Sequence, residues 1–387
     1  MPFAAALSEH PDAAHAIGEA TGRVLEQLPA RPDVAMVFVT ATHEAALPSI
    51  VHAIRTILEP ALLIGCSAVS VVGVAREVEE APAMSLWAGV TGGVEAVRLT
   101  AVPVGQGEVG ISGWPDADEL PFEPSALVLL ADPYSFPAEA FLAFVDEQWP
   151  GLPVVGGMAS AARTPGGARL VLDGELVTSG AVGAFLGPGV EVEPVVSQGC
   201  RPVGEAWSVT AADGNVVRGL GGRPPLERLA EVVRDAGSFD AHLLTAGGLH
   251  VGRVIDEHKA EFGRGDFLVR NVLGGDQSSG AIAIADHVEV GTTLQFHVRD
   301  AVTADEDLRA LLVNRSAHSA LLFTCNGRGV YTFGEPDHDA GVLAEQLGTI
   351  PAAGFFAAGE FGPVSGRNFL HGFTASIALL RDRVTAG

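Results

Sequence analysis

The sequence predicts an α/β protein with mixed parallel and antiparallel sheets, built from repeated βαβ-like units plus antiparallel meanders, in two related halves. Three observations carry that expectation. Apolar, β-branched runs alternate with stretches of helical period at three places, from Asp33, from Ser125 and from Ser319, and such runs are what strands buried on both faces look like. In each place the first run ends in a polar turn, at Thr42 and His43, at Asp132 and Tyr134, or at Asn326 and Arg328, and the second ends at a glycine, Gly65, Gly156 or Gly354. Between these units, alternating segments broken by turn dipeptides read as antiparallel strands.

Taken in order, residues 11–29 place Ala13, Ile17, Ala20, Val24, Leu25 and Leu28 at helical spacing. Asp33–Thr40 then reads as a buried strand, Ala45–Leu58 as a helix and Ala61–Cys66 as a second strand. Ala83–Thr100 passes through Thr91, Gly92 and Gly93, which reads as a hairpin. Gly105–Pro124 has the composition of an irregular loop. The grammar returns at Ser125–Pro137, with a helix over Ala138–Gln148 and a strand over Leu152–Gly157. Arg169–Gly187 turns at Asp173 and Gly174, a hairpin dipeptide. Glycine-rich Val209–Arg223 is the expected boundary between the two large halves. Pro224 and Pro225 open a helix over Leu226–Val233, Leu243–Arg299 reads as a meander, and Thr303 with Glu306 forms a capping-box pattern ahead of Leu308–Leu312. The third unit spans Ser319–His371.

Bulk properties narrow the function. At 387 residues the chain exceeds one ordinary core and fits about two or three domains, which we place at 1–32 (a helical segment), 33–220 and 221–387. A formal net charge of -24 repels nucleic acid and anionic membrane at long range, so neither is an expected partner. No uncharged apolar stretch reaches the roughly 18 residues that span a bilayer. The opening MPFAAALSEHPDAAHAIGEA lacks a basic start and is broken by His10, Pro11 and Asp12, unlike a secretory leader. Cys66, Cys200 and Cys325 lie in no CxxC, which argues against a disulfide scaffold and for a reducing compartment. The expectation is an acidic, soluble, cytoplasmic protein.

Several motifs have a structural explanation beside a chemical one. Gly105, Gly107 and Gly110 match GxGxxG, but the dinucleotide fingerprint needs a helix directly afterwards, and Ser112, Gly113, Trp114 and Pro115 follow instead. With no Walker-type phosphate loop either, no cofactor is expected. Ser67 imitates a nucleophile elbow except that Val69 replaces the second glycine, and a small-residue turn accounts for it. Glu335, Asp337, His338 and Asp339 offer ligands to a divalent cation and equally offer caps to a helix starting near Ala340. Cys325 is either quietly buried or made reactive by Arg328. With His338 and His371 it outlines a thiol- or metal-assisted enzyme. Arg270 with Asn271, and Arg299 with Asp300, end apolar runs. A buried guanidinium needs an acid, either a structural one such as Asp300 or Glu360 for Arg299, or a ligand carboxylate that fits the planar fork.

The stretches VVSQGCRPVGE (195–205), LGGRPPLERL (220–229), GDFLVRNVLGGD (265–276), QFHVRDA (295–301), FTCNGRG (323–329), PDHDA (336–340) and GFFAAGEFGPVSGRNFLHGFTAS (354–376) together resemble the FIST domain, named for F-box and intracellular signal transduction proteins. The resemblance covers nearly the whole chain, with an N-terminal part at 33–220 and a C-terminal part from 221. It implies a sensory, small-ligand-binding module for signal transduction, with amino acids the favoured ligand. No kinase, cyclase, chemotaxis or F-box segment fits in the remainder, so a separate signalling protein would carry the output. A homo-oligomer and an interaction scaffold stand as further expectations. No ligand residue is taken from the family.

From the residues themselves, the expected site lies at strand ends around Cys325, Asn326, Arg328 and Glu360, with Arg270, Asn271, Arg299 and Asp300. Open α/β sheets bind ligands in such places. Arg328 or Arg299 would hold a ligand carboxylate, Glu360 or Asp300 its ammonium, and Asn326 and Asn271 would fix its orientation.

Overall fold

The parallel strand pairs expected from the apolar runs form three times over in the computed structural model, which describes residues 2–105, 108–245, 248–259 and 261–383. Contacts divide the chain into two units, one of Met1–Val196, Arg309–Leu370 and Thr374–Gly387, the other of Ser197–Leu308 and His371–Phe373.

The first unit repeats one pattern. Its first repeat runs β1 (Phe3–Ser8), α1 (Ala13–Gln27), β2 (Val34–Thr40), α2 (Leu47–Ile57), β3 (Leu62–Ala68), β4 (Ser70–Gly73), β5 (Arg76–Glu79) and β6 (Met84–Gly89). The second runs β7 (Val94–Gly105), β8 (Glu108–Ser112), β9 (Ala126–Ala131), α3 (Ala138–Gln148), β10 (Val154–Met158), β11 (Leu170–Leu172), β12 (Glu175–Val177) and β13 (Ala181–Leu186). The third opens on β14 (Val190–Gln198), and the chain then forms β15 (Cys200–Asp213), β16 (Val216–Leu220), α4 (Pro225–Asp235), α5 (Ser238–Thr245), β17 (Leu249–Val254), β18 (Phe267–Asp276), β19 (Ala281–Ile284), β20 (Thr293–Arg299) and α6 (Ala301–Leu312). It resumes with β21 (Ser319–Cys325), α7 (Val330–Phe333), α8 (His338–Leu347), β22 (Ala352–Ala357), β23 (Glu360–Val364), β24 (Arg367–His371) and β25 (Thr374–Asp382).

Within each repeat β2 and β3, β9 and β10, or β21 and β22 pair in parallel. The last strand, β6, β13 or β25, returns antiparallel beside the first of the pair. The hairpins are exchanged. β4 and β5 extend the third repeat's sheet beside β22, β11 and β12 extend the first beside β3, and β23 and β24 extend the second beside β10. The exchange closes a cycle, and each sheet gains cover for an edge that would otherwise be open. All three sheets contribute to one inner core that includes Phe38, Val128, Leu130, Val155, Phe323 and Phe355, while α1 and α2 cover the outer face of the first sheet and α3 that of the second.

The three glycines read from the sequence occupy one register position. Gly65 faces Val37, Gly156 faces Leu129 and Gly354 faces Leu322 across the parallel pairs. A Cβ there would stand 2.1, 2.0 and 1.7 Å from the facing carbonyl oxygen, so no larger residue fits without parting the strands. The glycines lie inside β3, β10 and β22 rather than at their ends, where the sequence reading put them.

Other expectations shift as well. The N-terminal segment, expected to be helical, begins with strand β1, paired to β6. The turn at Thr91–Gly93 is no hairpin, since β6 and β7 belong to different sheets. Asp173 and Gly174 do join a hairpin, with Leu172 opposite Glu175 and Asp173 at positive φ. In the GxGxxG stretch, Gly105 ends β7 and Gly110 lies in β8, with no helix following, and Gly107 lies outside the described residues.

In the second unit, β15, β16, β19, β18, β17 and β20 close in that order into a barrel around Val209, Ile282, Leu294, Phe296 and Val298. Much of Val209–Arg223 is strand, in β15 and β16. The helix expected at Leu308 starts earlier. Ala304 N–H donates to the Asp300 carbonyl, and the Asp300 carboxylate accepts from Val302 N–H at 3.1 Å and from the Thr303 hydroxyl at 2.8 Å, so Asp300 caps α6. No helix among the described residues is long and apolar enough to cross a membrane.

Candidate functional site

β21 delivers the chain to Cys325, where a turn closed by Arg328 N–H on the Cys325 carbonyl carries Arg328 back beneath α7. Counting six residues on from the one that faces the repeat glycine, Arg328 corresponds to His43 and Ser135 in the other repeats. Arg328 is 2% exposed and Asp339, at the start of α8, is 1% exposed. The guanidinium holds Asp339 with Nε on Oδ2 and Nη2 on Oδ1, both at 2.7 Å. Asp339 also accepts from the Thr324 hydroxyl at 2.5 Å and lies 2.9 Å from His338 Nδ1. Phe333 stacks on the His338 ring at 3.3 Å and lies 5.1 Å from the Arg328 guanidinium. A buried ion pair persists only when its donors and acceptors are satisfied this fully.

The exchanged hairpin adds two acids from the first repeat. Glu77 accepts from Ala340 N–H at 2.9 Å, supplying from β5 the cap that α8 lacks, because the N-cap residue Asp337 makes no side-chain cap bond. Glu79 does the same for Val330 N–H at 2.9 Å. A third buried acid, Glu360, opens β23 and accepts from the hydroxyl and backbone N–H of Thr374, at 2.7 and 3.2 Å. Its equivalents in the other hairpins are Val71 and Leu170, since Val72, Val171 and Phe361 each face a repeat glycine. Gly157 stands opposite Glu360, where Phe355 and Cys66 oppose Val71 and Leu170. Glycine there leaves room, because a Cβ at 157 would come within 2.8 Å of the Gly359 carbonyl.

Among the described residues, three buried polar atoms in this cluster have no hydrogen-bond partner: Arg328 Nη1, Glu77 Oε2 and Glu360 Oε1. Arg328 lies within electrostatic reach of both glutamates. Burial alone would raise the Asp339 carboxyl, but the Arg328 charge and the bonds from Arg328, His338 and Thr324 outweigh it and hold Asp339 well below the carboxylate range. Burial, and then the nearby Asp339 charge, push Glu77 up. Burial pushes Glu360 up to about 8, only partly offset by the Thr374 bonds.

Burial of Glu360 makes the stability of the fold depend on pH. A carboxyl at about 8 when folded and 4.5 when unfolded binds more protons in the folded chain between those values, so stability falls as pH rises through that window. Glu360→Gln removes the titration. We expect its urea midpoint to match the wild type near pH 5 and to exceed it above pH 8, by on the order of a few kcal/mol in stability.

The expected site residues fall in both units. Cys325, Arg328 and Glu360 are buried in the first, and Asn326 is exposed there. Cys325 Sγ accepts from Gly327 N–H at 3.5 Å. In the second unit, Arg270 is buried against Asp286 at 3.2 Å, Asn271 is exposed, and Arg299 lies 5.6 Å from the Phe373 ring. Asp300 pairs with Arg201 at 3.0 Å while capping α6. His371 is buried in the second unit. Sequence reasoning missed Glu77, whose partners lie more than 250 residues away. It weighed Asp339 as a cap or metal ligand and not as the acid that Arg328 required.

A cleft of about 560 Å³ lies elsewhere in the first unit, between Leu120–Pro124 and Trp149–Leu152. Among its described lining residues only Glu123 is charged, and convergent chemistry is the better guide to a polar ligand.

An uncharacterized protein of Mycobacterium bovis is 45% identical over 383 residues, 96% of this chain and 97% of its own. An uncharacterized protein of Mycobacterium tuberculosis is 45% identical over 393 residues, 99% of this chain and 100% of its own. The FIST N domain matches residues 33–223 and the FIST C domain residues 225–363, two domains associated with sensing in signal transduction. The chain belongs to the FIST family.

Proposed function

We propose that this chain is a cytoplasmic sensory protein that binds a small polar ligand, an amino acid or similar carboxylate, at the strand ends of the third repeat. The unpaired trio of Arg328 Nη1, Glu77 Oε2 and Glu360 Oε1 carries the reading. Leaving a buried polar group unpaired costs about 1–3 kcal/mol each, and a cluster of such groups beside shifted carboxyls is typical of functional sites. Arg328 Nη1 donates to the ligand carboxylate, while Glu360 and Glu77 receive its ammonium. Asn326, exposed at the same turn, orients it, and Cys325 lies beside Glu360. The output passes to a separate signalling protein.

A thermal-shift panel of amino acids and short carboxylates tests this. At least one compound at millimolar concentration should raise the wild-type Tm by on the order of a few °C, and Glu360→Gln should abolish that rise. Indifference of the wild type to the whole panel would count against the reading.

A further inference from the structure

A second set of chemistry-bearing side chains gathers where β1 meets α1. One ligand atom from each of His10, Asp12 and His15 lies within 4.8 Å of the others, and the two imidazoles face each other with centroids 4.6 Å apart. Asp12 uses Oδ1 twice, accepting from His15 N–H at 3.0 Å as the cap of α1 and lying 2.9 Å from His15 Nδ1. Oδ2 stays outside both bonds. His10 Nδ1 takes the Asp12 N–H at 3.0 Å, which leaves Nε2 outside that bond.

Two neighbours mark this as more than a capped helix start. His43, 1% exposed, lies beside the His10 backbone and within electrostatic reach of the His10 ring and Asp12, and its Nε2 has no hydrogen-bond partner among the described residues. Glu19, held by the Ser8 hydroxyl at 2.6 Å, is within reach of both His10 and His15. Topology adds a third reason. β1 and β2 are both antiparallel to β6, so they run the same way and their C-terminal ends share one sheet edge, the edge where ligands collect in α/β folds. His43 holds the repeat position that Arg328 holds in the third repeat.

We propose that His10, Asp12 and His15 bind a divalent transition-metal ion of the zinc class. Two imidazoles and one carboxylate match the donors that zinc prefers, whereas calcium and magnesium call for an all-oxygen set. Three protein ligands leave a coordination position open to water or another molecule. The charges of Asp12 and Glu19 balance the ion, and the buried His43 imidazole lies beside the His10 backbone.

The test is calorimetric titration of zinc chloride into the EDTA-stripped full-length chain. We expect one ion per chain, and binding at least about ten-fold weaker in the His10→Ala/His15→Ala double variant. Asp12→Asn keeps an N-cap but removes the charged ligand, so it should weaken binding with α1 intact by circular dichroism. His287→Ala, an exposed histidine in the second unit, should bind like the wild type. No zinc binding by the wild type, or a double variant within two-fold of it, overturns the proposal.

Discussion

Asp339→Ala is expected to lower the stability of the first unit by about 3–5 kcal/mol, because it leaves the Arg328 guanidinium buried without its acid. The loss exceeds that of one hydrogen bond. Asp339 satisfies the guanidinium through two bonds and also collects the Thr324 hydroxyl, so its removal strands several donors in a place water does not reach. The double variant Arg328→Met/Asp339→Leu should recover most of the loss, since a buried pair replaced by apolar groups of similar volume is often neutral or stabilising. Urea unfolding followed by tryptophan fluorescence checks the order: wild type and double variant close together, the single variant far below. Equal losses in single and double variants would show that the two side chains do not act as a pair.

The second large effect belongs to the repeat itself. Gly354→Ala should yield little or no folded protein, because its Cβ would stand 1.7 Å from the Leu322 carbonyl oxygen, and that contact is relieved only by separating β21 from β22. Overpacking of this kind costs more than the usual 1–3 kcal/mol when the obstacle is backbone. Separation would also displace the turns carrying Cys325 and Glu360. Gly341→Ala is the control: it lies in α8 with nothing within 4 Å of its Cβ position, and alanine should stabilise the helix by up to about 1 kcal/mol. Soluble yield and Tm of the two variants decide the matter, and a well-folded Gly354→Ala would contradict the close approach.

What the sequence made visible follows from locality. Buried parallel strands leave continuous apolar runs, and so β2, β3, β9, β10, β21 and β22 stand out, as do the Asp173–Gly174 hairpin and the helix that Pro225 opens. The exchange of hairpins leaves no local mark. Nothing in the stretch Arg76–Glu79 says that it pairs beside β22, and only that pairing brings Glu77 and Glu79 to the starts of α8 and α7. Gly92 and Gly93 misled because glycine marks a passage between sheets as readily as a hairpin. At the site, Arg328 and Glu360 were legible as polar residues ending apolar runs. Asp339 could have been named as the partner of Arg328 from the rule that a buried guanidinium needs an acid, since it lies only eleven residues further on. Glu360 could have been marked as buried by aligning the repeats, where Val71 and Leu170 take its place.

The most direct measurement of the central claim is calorimetric titration of the strongest compound from the amino acid and carboxylate panel into the wild type, Glu360→Gln and, as control, Asp235→Asn, exposed at the end of α4 in the second unit. Binding at least about ten-fold weaker in Glu360→Gln, with Asp235→Asn unchanged, is the result that a polar ligand site at Arg328, Glu77 and Glu360 requires. Wild-type affinity in Glu360→Gln would place the ligand elsewhere and contradict the account.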